Sequence, residues 1–449
     1  MQGNETDGDL DATQVRPMPR ERGDYGGQQP GSAPRQRTYG SRQPGGAARQ
    51  PGGATRQPGG AARQPSQAYA PNPYAPRPYS PQAQRRQTQR APRPQAGPAR
   101  QAPQPGTPRR RGPKPARHGC LAALLWLVML PVLGLLALRL LPLGHANGAL
   151  VPELVSFVPL ALVPSAACLI LACLWRRRVL AVVCALALAT NAWWHAGYLV
   201  PGDRVSAQAG AAVAASASTG DASARIMTLN TLNGRASAKQ IVQVVREQHV
   251  EVLCLQELTD GMVADLEAAG IDDVLPYHVV STGASSISNG GRNGIWTAAP
   301  EDNVSRNLLP IETSSMPAAN IQIGSRTVRI VSVHPNSPTR GAQDLWNEGL
   351  SIIGSLSGYD HAYLIMGDFN STWDHARFRD LLGTAFVDAS QQSGEGFHMT
   401  YPANSALPSL IEIDHIVYAR NSGITVSSLQ TVEIAGTDHK ALLGTLEAR

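Results

Sequence analysis

The sequence predicts an α/β domain in the last half of the chain, preceded by three membrane-spanning helices and a basic tail. Three observations give this division. From Arg225 onward, apolar strand-like runs alternate with helical segments, and so many buried strands require two packed sheets with helices outside. Residues 119–200 are almost entirely apolar, and the net charge changes from +14 over residues 1–118 to −11 over residues 201–449.

The basic tail, residues 1–118, is rich in Pro, Gly, Gln and Arg and is expected to be disordered, because it cannot bury enough apolar surface to offset the entropy of ordering. A seven-residue repeat begins at Arg42, Arg49 and Arg56, with a partial copy at Arg63. A Pro and a Gly pair in each copy exclude a helix. The tail is interpreted either as a tether for anionic lipid or an acidic partner, or as a solvated cytoplasmic segment. The chain's overall charge of +6 comes from this tail, so it does not indicate a nucleic-acid-binding C-terminal domain.

Three apolar stretches, at about 119–142, 150–175 and 179–200, are each long enough to cross a bilayer core of roughly 30 Å. The first begins too late to be a cleaved signal peptide. The second is the least regular, because it contains Glu153 and three prolines. Arg139, near the end of the first stretch, is expected to extend to the membrane interface.

The basic residues beside these stretches predict the orientation in the membrane. Lys and Arg precede the first stretch, Arg176 to Arg178 separate the second and third, and the first loop has neither. We therefore expect a multi-pass protein of the cell membrane with a cytoplasmic N-terminus and an extracytoplasmic C-terminal domain. If the second stretch does not insert, two spans remain and the domain would be cytoplasmic. Residues 201–224, rich in Ala and Ser, are expected to be a flexible linker, with an Ala-rich helical extension as the alternative.

The C-terminal domain, residues 225–449, begins with the strand RIMTLN and a helix capped by Ser237. The strand EVLCLQ follows, and then a helix capped by Thr259 that ends at Gly270. Further strands are expected near 277–281, 293–298, 305–312, 326–334, 362–367, 411–418, 423–429 and 441–447, with one helix over about 340–356.

Six short polar clusters lie at the ends of these apolar runs: Asn230, Gln256-Glu257, His334, Gly367-Asp368-Phe369-Asn370, Asp414 and Asp438-His439. Strand ends that converge on one edge of a sheet are where α/β enzymes place their chemistry. Acids, amides and histidines gathered at such an edge suit a hard divalent cation and a phosphate ester.

The first clusters offer metal and phosphate ligands. Glu257 ends a buried strand and is a candidate ligand for Mg²⁺ or Mn²⁺, and Asn230 is a candidate ligand for the metal or the phosphate. Asp368 and Asn370 are two residues apart, so an extended backbone places both on one face. There Asp368 can orient an attacking water, and Asn370 can donate a hydrogen bond to a phosphoryl oxygen.

The last clusters offer a base. Asp438 is a candidate metal ligand beside His439, and Asp414 can hold the imidazole of His439 in one tautomer. His334 can donate to the phosphate or to the leaving oxygen. Six other histidines are assigned structural roles: His249, His278, His361, His375, His398 and His415.

The ordered set resembles the endonuclease/exonuclease/phosphatase superfamily, whose fold is that of pancreatic deoxyribonuclease. The family pattern has an early Asn, a Gln-Glu pair, a middle His, GDxN, a late Asp and a terminal Ser/Thr-Asp-His, and this chain carries all six. The resemblance covers residues 225–449 and implies a four-layer α/β sandwich and Mg²⁺-dependent phosphoester hydrolysis. It also implies that His439, with Asp414 behind it, activates water and that Glu257 holds the metal. Asp368, Asn370 and His334 would bind and orient the attacking water and the phosphate.

These inferences predict a membrane-anchored, metal-dependent phosphodiesterase or nuclease. Its substrate is a nucleic acid, a phospholipid head group or a small diester, and no protein partner can be inferred. The domain's charge of −11 argues against tight duplex binding, which requires a basic groove. The alternatives are a phosphomonoesterase or phospholipid phosphodiesterase of the same fold, and a catalytically inactive membrane scaffold.

Overall fold

A computed structural model describes residues 119–141, 150–282 and 292–449. The predicted disordered tail and the loop between the first two apolar stretches lie outside these ranges. All described residues belong to one compact unit.

The helices divide into an apolar group and a group that belongs to the C-terminal domain. The first group comprises α1 (Gly119–Leu138), α2 (Val151–Val155), α3 (Leu162–Leu174), α4 (Arg178–Trp194) and α5 (Ala196–Leu199). The second comprises α6 (Ala207–Ala215), α7 (Ala238–Glu247), α8 (Asp260–Ala268), α9 (Gln343–Gly354), α10 (Ala376–Leu382) and α11 (Ala389–Ser393).

Twelve strands of the described chain form two sheets of six. They are β1 (Ser223–Asn230), β2 (Val250–Leu258), β3 (Tyr277–Val280), β4 (Arg292–Thr297), β5 (Asp302–Ser305), β6 (Ala318–Ile323), β7 (Arg326–Val333), β8 (Ala362–Asp368), β9 (Phe386–Asp388), β10 (Asp414–Ala419), β11 (Ile424–Glu433) and β12 (Lys440–Ala448). The strand orders are β11-β12-β1-β2-β4-β3 and β5-β6-β7-β8-β10-β9. Instead of the strand expected at 305–312, the structure has the shorter and earlier strand β5. Pro310 has no N–H that could pair with a neighbouring strand.

The two sheets pack face to face around an apolar core that contains Ile226, Val252, Ile330 and Met366. A second core joins the first sheet to α7 and α8, and a third joins the other sheet to α9 and α10. The order of layers is therefore helix, sheet, sheet, helix, and the predicted two-sheet sandwich is confirmed.

The strand directions bring one edge of both sheets together. β1 and β2 are parallel neighbours in the first sheet, and β7 and β8 are parallel neighbours in the second. β12 runs antiparallel to β1, and β10 runs antiparallel to β8. The ends of four strands and the beginnings of two others consequently share one edge of the sandwich.

The segment expected to be a flexible linker contains α6, which is capped by the Ser206 side chain. Val213 is buried, and its carbonyl oxygen accepts from His249 Nδ1 at 3.2 Å. The Ser206 backbone N–H donates to Glu447 Oε2 at 2.8 Å. The alanines favour a helix, and buried contacts hold it against the domain. Residues 207–215 therefore form the Ala-rich helix that the sequence analysis gave as the alternative to a flexible linker.

Within the described residues, α1 alone is both long and apolar enough to cross a membrane, with 20 residues and a mean hydropathy of 2.6. The apolar helices Pro159–Leu174 and Arg178–Trp194 are shorter. The structure therefore does not show the three membrane-spanning helices that the sequence predicts. The middle stretch is divided because prolines interrupt it: Pro152 lies in the first turn of α2, and Pro159 starts a 3₁₀ turn before α3.

Arg139, which the sequence predicts to extend to the membrane interface, packs against the C-terminal domain. It is 7% exposed, forms an ion pair with the fully buried Asp374 of the C-terminal domain, and stacks over the Trp194 ring at 4.2 Å.

Candidate active site

A cavity of about 430 Å³ lies at the shared edge of the two sheets. It collects seven of the eight predicted site residues: Asn230, Glu257, His334, Asp368, Asn370, Asp438 and His439. The eighth, Asp414, is fully buried behind His439. Residues that are up to 209 positions apart in the sequence meet here, because each ends or begins a strand at this edge.

His439 and Asp414 form a hydrogen-bonded pair. The distance from His439 Nδ1 to Asp414 Oδ2 is 2.8 Å. Since an ionised carboxylate only accepts hydrogen bonds, Nδ1 carries a proton and donates it, and Nε2 is left for the cavity. The Thr437 hydroxyl accepts from the His439 backbone N–H at 3.2 Å and donates to the Asn230 carbonyl at 2.8 Å. These contacts fix both the backbone and the ring of His439.

The charges around His439 dominate its protonation. Burial alone lowers the pKa of His439, but the negative charges of Asp414, Asp368 and Asp438 outweigh burial and raise the pKa to about 10. The imidazole is therefore protonated at neutral pH unless a bound cation offsets these charges. A divalent cation beside the carboxylates would favour the neutral ring that can accept a proton.

Asp368 is held by three groups. Its Oδ2 accepts from Asn230 Nδ2 at 3.0 Å and lies 3.5 Å from His334 Nε2, and its Oδ1 accepts from the Asn370 backbone N–H at 2.7 Å. Burial alone raises the pKa of Asp368, but the histidines at 334 and 439 and the Asn370 N–H hold it below its usual range. Asp368 is thus a carboxylate that can orient a water.

Backbone geometry places the GDFN residues. A Cβ at Gly367 would lie 2.0 Å from the Val333 carbonyl oxygen, so only glycine permits the approach of β8 to β7 here. Asn370 has a φ of +49°, a left-handed conformation that Asn tolerates. Its Nδ2 donates to the Pro335 carbonyl at 3.1 Å.

Glu257 lies at an irregularity in the pairing of β2 with β4, and its φ is +56°. A bulge redirects a side chain, and Glu257 points into the cavity while Gln256 is buried and donates to Ser332 Oγ at 3.1 Å. Glu257 Oε1 accepts from Asn230 Nδ2 at 3.0 Å, and Oε2 accepts from the Asn233 backbone N–H at 2.8 Å.

His334 follows β7 and is 1% exposed. Its Nε2 lies between two carboxylates, 3.5 Å from Asp368 Oδ2 and 3.7 Å from Glu257 Oε1. Burial lowers the pKa of His334, but the hydrogen bond to Asp368 and the two negative charges outweigh burial and raise the pKa overall. When protonated, His334 can donate to a phosphate oxygen.

The carboxylates Glu257, Asp368 and Asp438 line the cavity together, and Asp438 Oδ1 is buried without a hydrogen-bond partner. Oxygen donors of this kind fit a hard divalent cation such as Mg²⁺ or Mn²⁺. Asp368, Asp414 and His439 also place ligand atoms within 4.8 Å of one another. Because the 2.8 Å contact between Asp414 and His439 is a hydrogen bond, we interpret these two as a proton-handling pair and not as ligands.

Several further residues that line the cavity were not anticipated from the sequence, and four of them bear on its chemistry. The Tyr401 ring lies 5.1 Å from the His439 ring, and Glu153, Ser156 and Phe157 come from the apolar region. Tyr401 follows a loop without strand or helix periodicity, so no sequence signal marked it. Glu153 had a signal, because it is the one acidic residue between residues 119 and 200, and ionisable residues in apolar spans commonly serve function.

Residues 227–439, just under half of the chain, match the model of the Endonuclease/Exonuclease/phosphatase family. Among curated proteins, none matches significantly. Similar solved structures include TDP2 of D. rerio complexed with single strand DNA product, with 16% identity, 51% of this chain and 100% of that chain covered, and a TM-score of 0.43. Sphingomyelinase C from Streptomyces griseocarneus has 16% identity, coverage of 50% and 99%, and a TM-score of 0.36. A family protein from Leptotrichia buccalis C-1013-b has 11% identity, coverage of 50% and 99%, and a TM-score of 0.38. The family match begins in β1 and ends on His439, so its bounds enclose all eight predicted site residues.

Proposed function

We propose that the chain is a membrane-anchored phosphoester hydrolase that depends on a divalent cation, Mg²⁺ or Mn²⁺, and acts on phosphodiesters. The observation that carries this proposal is the cavity in which the His439–Asp414 pair meets Asp368, Glu257, Asn230, His334 and Asp438. A base, a water-orienting carboxylate, a cationic donor and free carboxylate oxygens are the groups that phosphoester hydrolysis requires.

In the proposed reaction, a water oriented by Asp368 forms a bond to phosphorus, and its proton moves to His439 Nε2. The bond between phosphorus and the leaving oxygen breaks in line, and the leaving oxygen takes a proton from the protonated His334. Asn370 orients a phosphoryl oxygen, and Asn230, whose side-chain amide donates to both Glu257 and Asp368, positions these two carboxylates. Glu257 and Asp438 would hold the cation, which polarises the phosphoester and offsets its charge when bound.

The membrane anchorage is supported by the surface of the apolar helices. α1 is 22% buried over its most apolar window, and Leu124, Leu127 and Leu130 are each more than half exposed. Such side chains are stable when lipid surrounds them. We propose that α1, the α2–α3 segment and α4 together form the anchor in the cell membrane.

The orientation with a cytoplasmic N-terminus and an extracytoplasmic domain is supported by the position of the arginines. Arg139 and Trp194, at or just after the ends of α1 and α4, contact the C-terminal domain. Arg178 begins α4, and a 17-residue helix is about 26 Å long. The basic cluster at 176–178 and the catalytic domain therefore lie at opposite ends of α4, as the distribution of basic residues across a membrane requires.

The test is hydrolysis by the purified full chain with Mg²⁺, with Mn²⁺ and after chelation. The substrates are bis-p-nitrophenyl phosphate, p-nitrophenyl phosphate, linear DNA, RNA and sphingomyelin. We expect cleavage of a diester that chelation abolishes and Mg²⁺ restores. His439→Ala should lower kcat by about 10² to 10⁴, the usual contribution of a general base.

His361→Ala is the matched control, because His361 precedes β8 at the end opposite Asp368 and is exposed. Its activity should equal that of the wild type. Hydrolysis that survives chelation, or that His439→Ala leaves unchanged, would overturn the proposal. Faster cleavage of the monoester than of any diester would assign a phosphomonoesterase instead, and DNA or RNA as the best substrate would assign a nuclease.

A further inference from the structure

One wall of the active-site cavity does not belong to the C-terminal domain. Glu153, Ser156 and Phe157, from the apolar segment between α1 and α3, line the same cavity as Glu257, Asp368 and His439. The C-terminal domain alone would leave this side open. The site described above is therefore completed by a segment that the sequence predicts to be part of the membrane anchor.

Buried polar contacts fix this segment in place. His375 Nδ1 accepts from the Thr372 backbone N–H at 2.8 Å, so its Nε2 carries the proton and donates to the Pro152 carbonyl at 2.8 Å. Pro152 precedes Glu153 directly. Asp374, next to His375, pairs with both Arg139 and His195. These buried contacts hold this wall in a defined position, which a binding surface requires.

Glu153 presents an unused acceptor to the cavity. Its Oε2 is buried and has no hydrogen-bond partner. The cavity already contains the carboxylates of Glu257, Asp368 and Asp438. Together with Glu153 these carboxylates carry more negative charge than one divalent cation neutralises. A buried, unpaired carboxylate oxygen is unfavourable until a donor reaches it. A substrate group with hydrogen-bond donors, either an ammonium or a hydroxyl, would satisfy it.

The outer edge of the same wall is apolar. Leu150, Leu154 and Phe157 are 49%, 45% and 37% exposed. They continue the exposed apolar surface of α1 and α3, where Leu130 and Val163 are 61% and 73% exposed. An apolar surface that runs from a hydropathic helix to the rim of a polar cavity fits a molecule with acyl chains on one side and a polar head on the other.

From this geometry we infer, building on the proposed function, that the substrate is a lipid-borne phosphoester presented at the bilayer surface. Its acyl chains lie along Leu150, Leu154 and Phe157, and its phosphate reaches the His439 site. Glu153 accepts a hydrogen bond from a hydroxyl or ammonium of the head group and so determines specificity. Glu153 contacts substrate but takes no part in the transfer of protons.

The experiment uses the full chain in mixed micelles with Mg²⁺ and three test lipids. Phosphatidylethanolamine offers ammonium donors, phosphatidylglycerol offers hydroxyl donors, and phosphatidylcholine has the same phosphodiester without donors. Bis-p-nitrophenyl phosphate and linear DNA are assayed in parallel. The wild type should prefer one donor-bearing lipid over phosphatidylcholine, and which lipid it prefers distinguishes ammonium from hydroxyl.

Glu153→Gln should lower kcat/KM for the preferred lipid about 10-fold to 100-fold, as expected for loss of a hydrogen bond to a charged group. The effect should be in KM more than in kcat, and the preference over phosphatidylcholine should disappear. Glu153→Asp, which keeps the carboxylate, should restore part of the preference. Glu267→Gln on α8, an exposed position, is the matched control and should behave as wild type, and thermal midpoints of all variants check folding.

An equal loss on all three lipids would overturn the inference, because it would assign Glu153 to the fold or to the cation site. So would a wild type that does not distinguish the lipids. Cleavage of bis-p-nitrophenyl phosphate or DNA without cleavage of any lipid would overturn the inference and leave the proposed function standing. No cleavage of any substrate would overturn the proposed function itself.

Discussion

The two parts of this chain place their large apolar side chains in opposite ways. Of the exposed large hydrophobic residues in the described chain, 19 lie between residues 119 and 200 and only Tyr277, Val304, Tyr359 and Leu407 lie beyond. The C-terminal domain instead buries its apolar residues in three cores between its layers. The same driving force, removal of apolar surface from water, produces both patterns, and exposed apolar side chains on the first region are what the proposed membrane anchor requires.

The two regions meet through polar groups. Asp374 has no exposed surface and pairs with Arg139 and His195, and Trp373 Nε1 donates to the Trp194 carbonyl at 3.1 Å. Two of the buried acids, Asp414 and Asp374, each pair with a histidine, one in the active site and one at this junction. The comparison therefore predicts that equivalent changes at the two acids have separable effects.

The largest effect is expected from Asp414→Asn. The amide no longer stabilises a cationic His439 and no longer enforces the tautomer that leaves Nε2 free, so kcat should fall about 10³-fold on the best diester. The measurement is kcat as a function of pH for the full chain. Asp265→Asn, on the exposed side of α8, should retain full activity. A variant that keeps both its activity and its pH profile would remove Asp414 from the proposed proton transfer.

Asp374→Asn should instead destabilise the junction. It leaves the buried Arg139 guanidinium without its counter-charge, and loss of one partner of a buried pair costs about 3–5 kcal/mol. Thermal unfolding of the full chain in detergent should show a lower midpoint, and limited proteolysis should cut between the helices and the domain. Asp265→Asn again provides the control. An unchanged midpoint would show that the junction contributes little to stability.

Leu127 and Leu407 test the comparison between the two surfaces directly, since they are 67% and 63% exposed. Leu127→Asp near the centre of α1 should disfavour membrane insertion by about 3 kcal/mol. Leu407→Asp on the C-terminal domain should change stability by no more than about 0.5 kcal/mol. The fraction of chain that resists alkaline extraction from membranes should fall for Leu127→Asp alone. Equal behaviour of the two variants would contradict lipid exposure of α1.

The smallest effect at neutral pH concerns His375. Burial lowers the pKa of His375 to about 4, despite the Pro152 carbonyl that accepts from it. Because the folded-state pKa is depressed, the unfolded chain binds the extra proton, and this contribution to stability is present above about pH 6.5 and is lost as pH falls toward 4. The loss is at most about 3 kcal/mol.

The thermal midpoint of the full chain should thus fall more steeply between pH 6.5 and 4.5 in the wild type than in His375→Gln. His278→Gln, which replaces an exposed histidine on β3, should follow the wild type. Parallel pH curves for wild type and His375→Gln would show that this histidine does not couple the junction to pH.

The sequence predicted the C-terminal domain well because its signals are local. Each strand is a short apolar run, and the site residues lie at the ends of such runs. The pairing of Asp414 with His439 was expected from the roles of the two side chains and from the family pattern, not from strand order, because they lie at the beginnings of strands in different sheets. Helix caps at Ser237 and Thr259 are also local signals, and both cap the helices expected. α6 was harder to predict, because an Ala-rich segment becomes a helix or a linker according to the surface available for packing.

The contribution of the apolar region to the site was not predictable from periodicity. Hydropathy describes residues 150–175 as one stretch, but Pro152 and Pro159 divide it, and tertiary contacts of His375 decide where the pieces lie. The contact of Arg139 with Asp374 was not predicted, because no sequence signal indicates a buried partner 235 residues away. Glu153 is an acidic residue in an apolar stretch, which is a signal of function. In the sequence it only made residues 150–175 less regular as a membrane span, and nothing indicated that it lines the active site.

The fixed attachment of the catalytic domain to the helices through Asp374 has a kinetic consequence. With the helices as the proposed membrane anchor, an active site held at one height above the bilayer would meet its substrates in two dimensions, so that their surface density, and not their bulk concentration, would set how often they collide. We expect the rate on a lipid phosphoester to follow its mole fraction in the surface and to fall when inert lipid or detergent dilutes it. A phosphate that the attachment cannot bring to that height would remain uncleaved at any concentration.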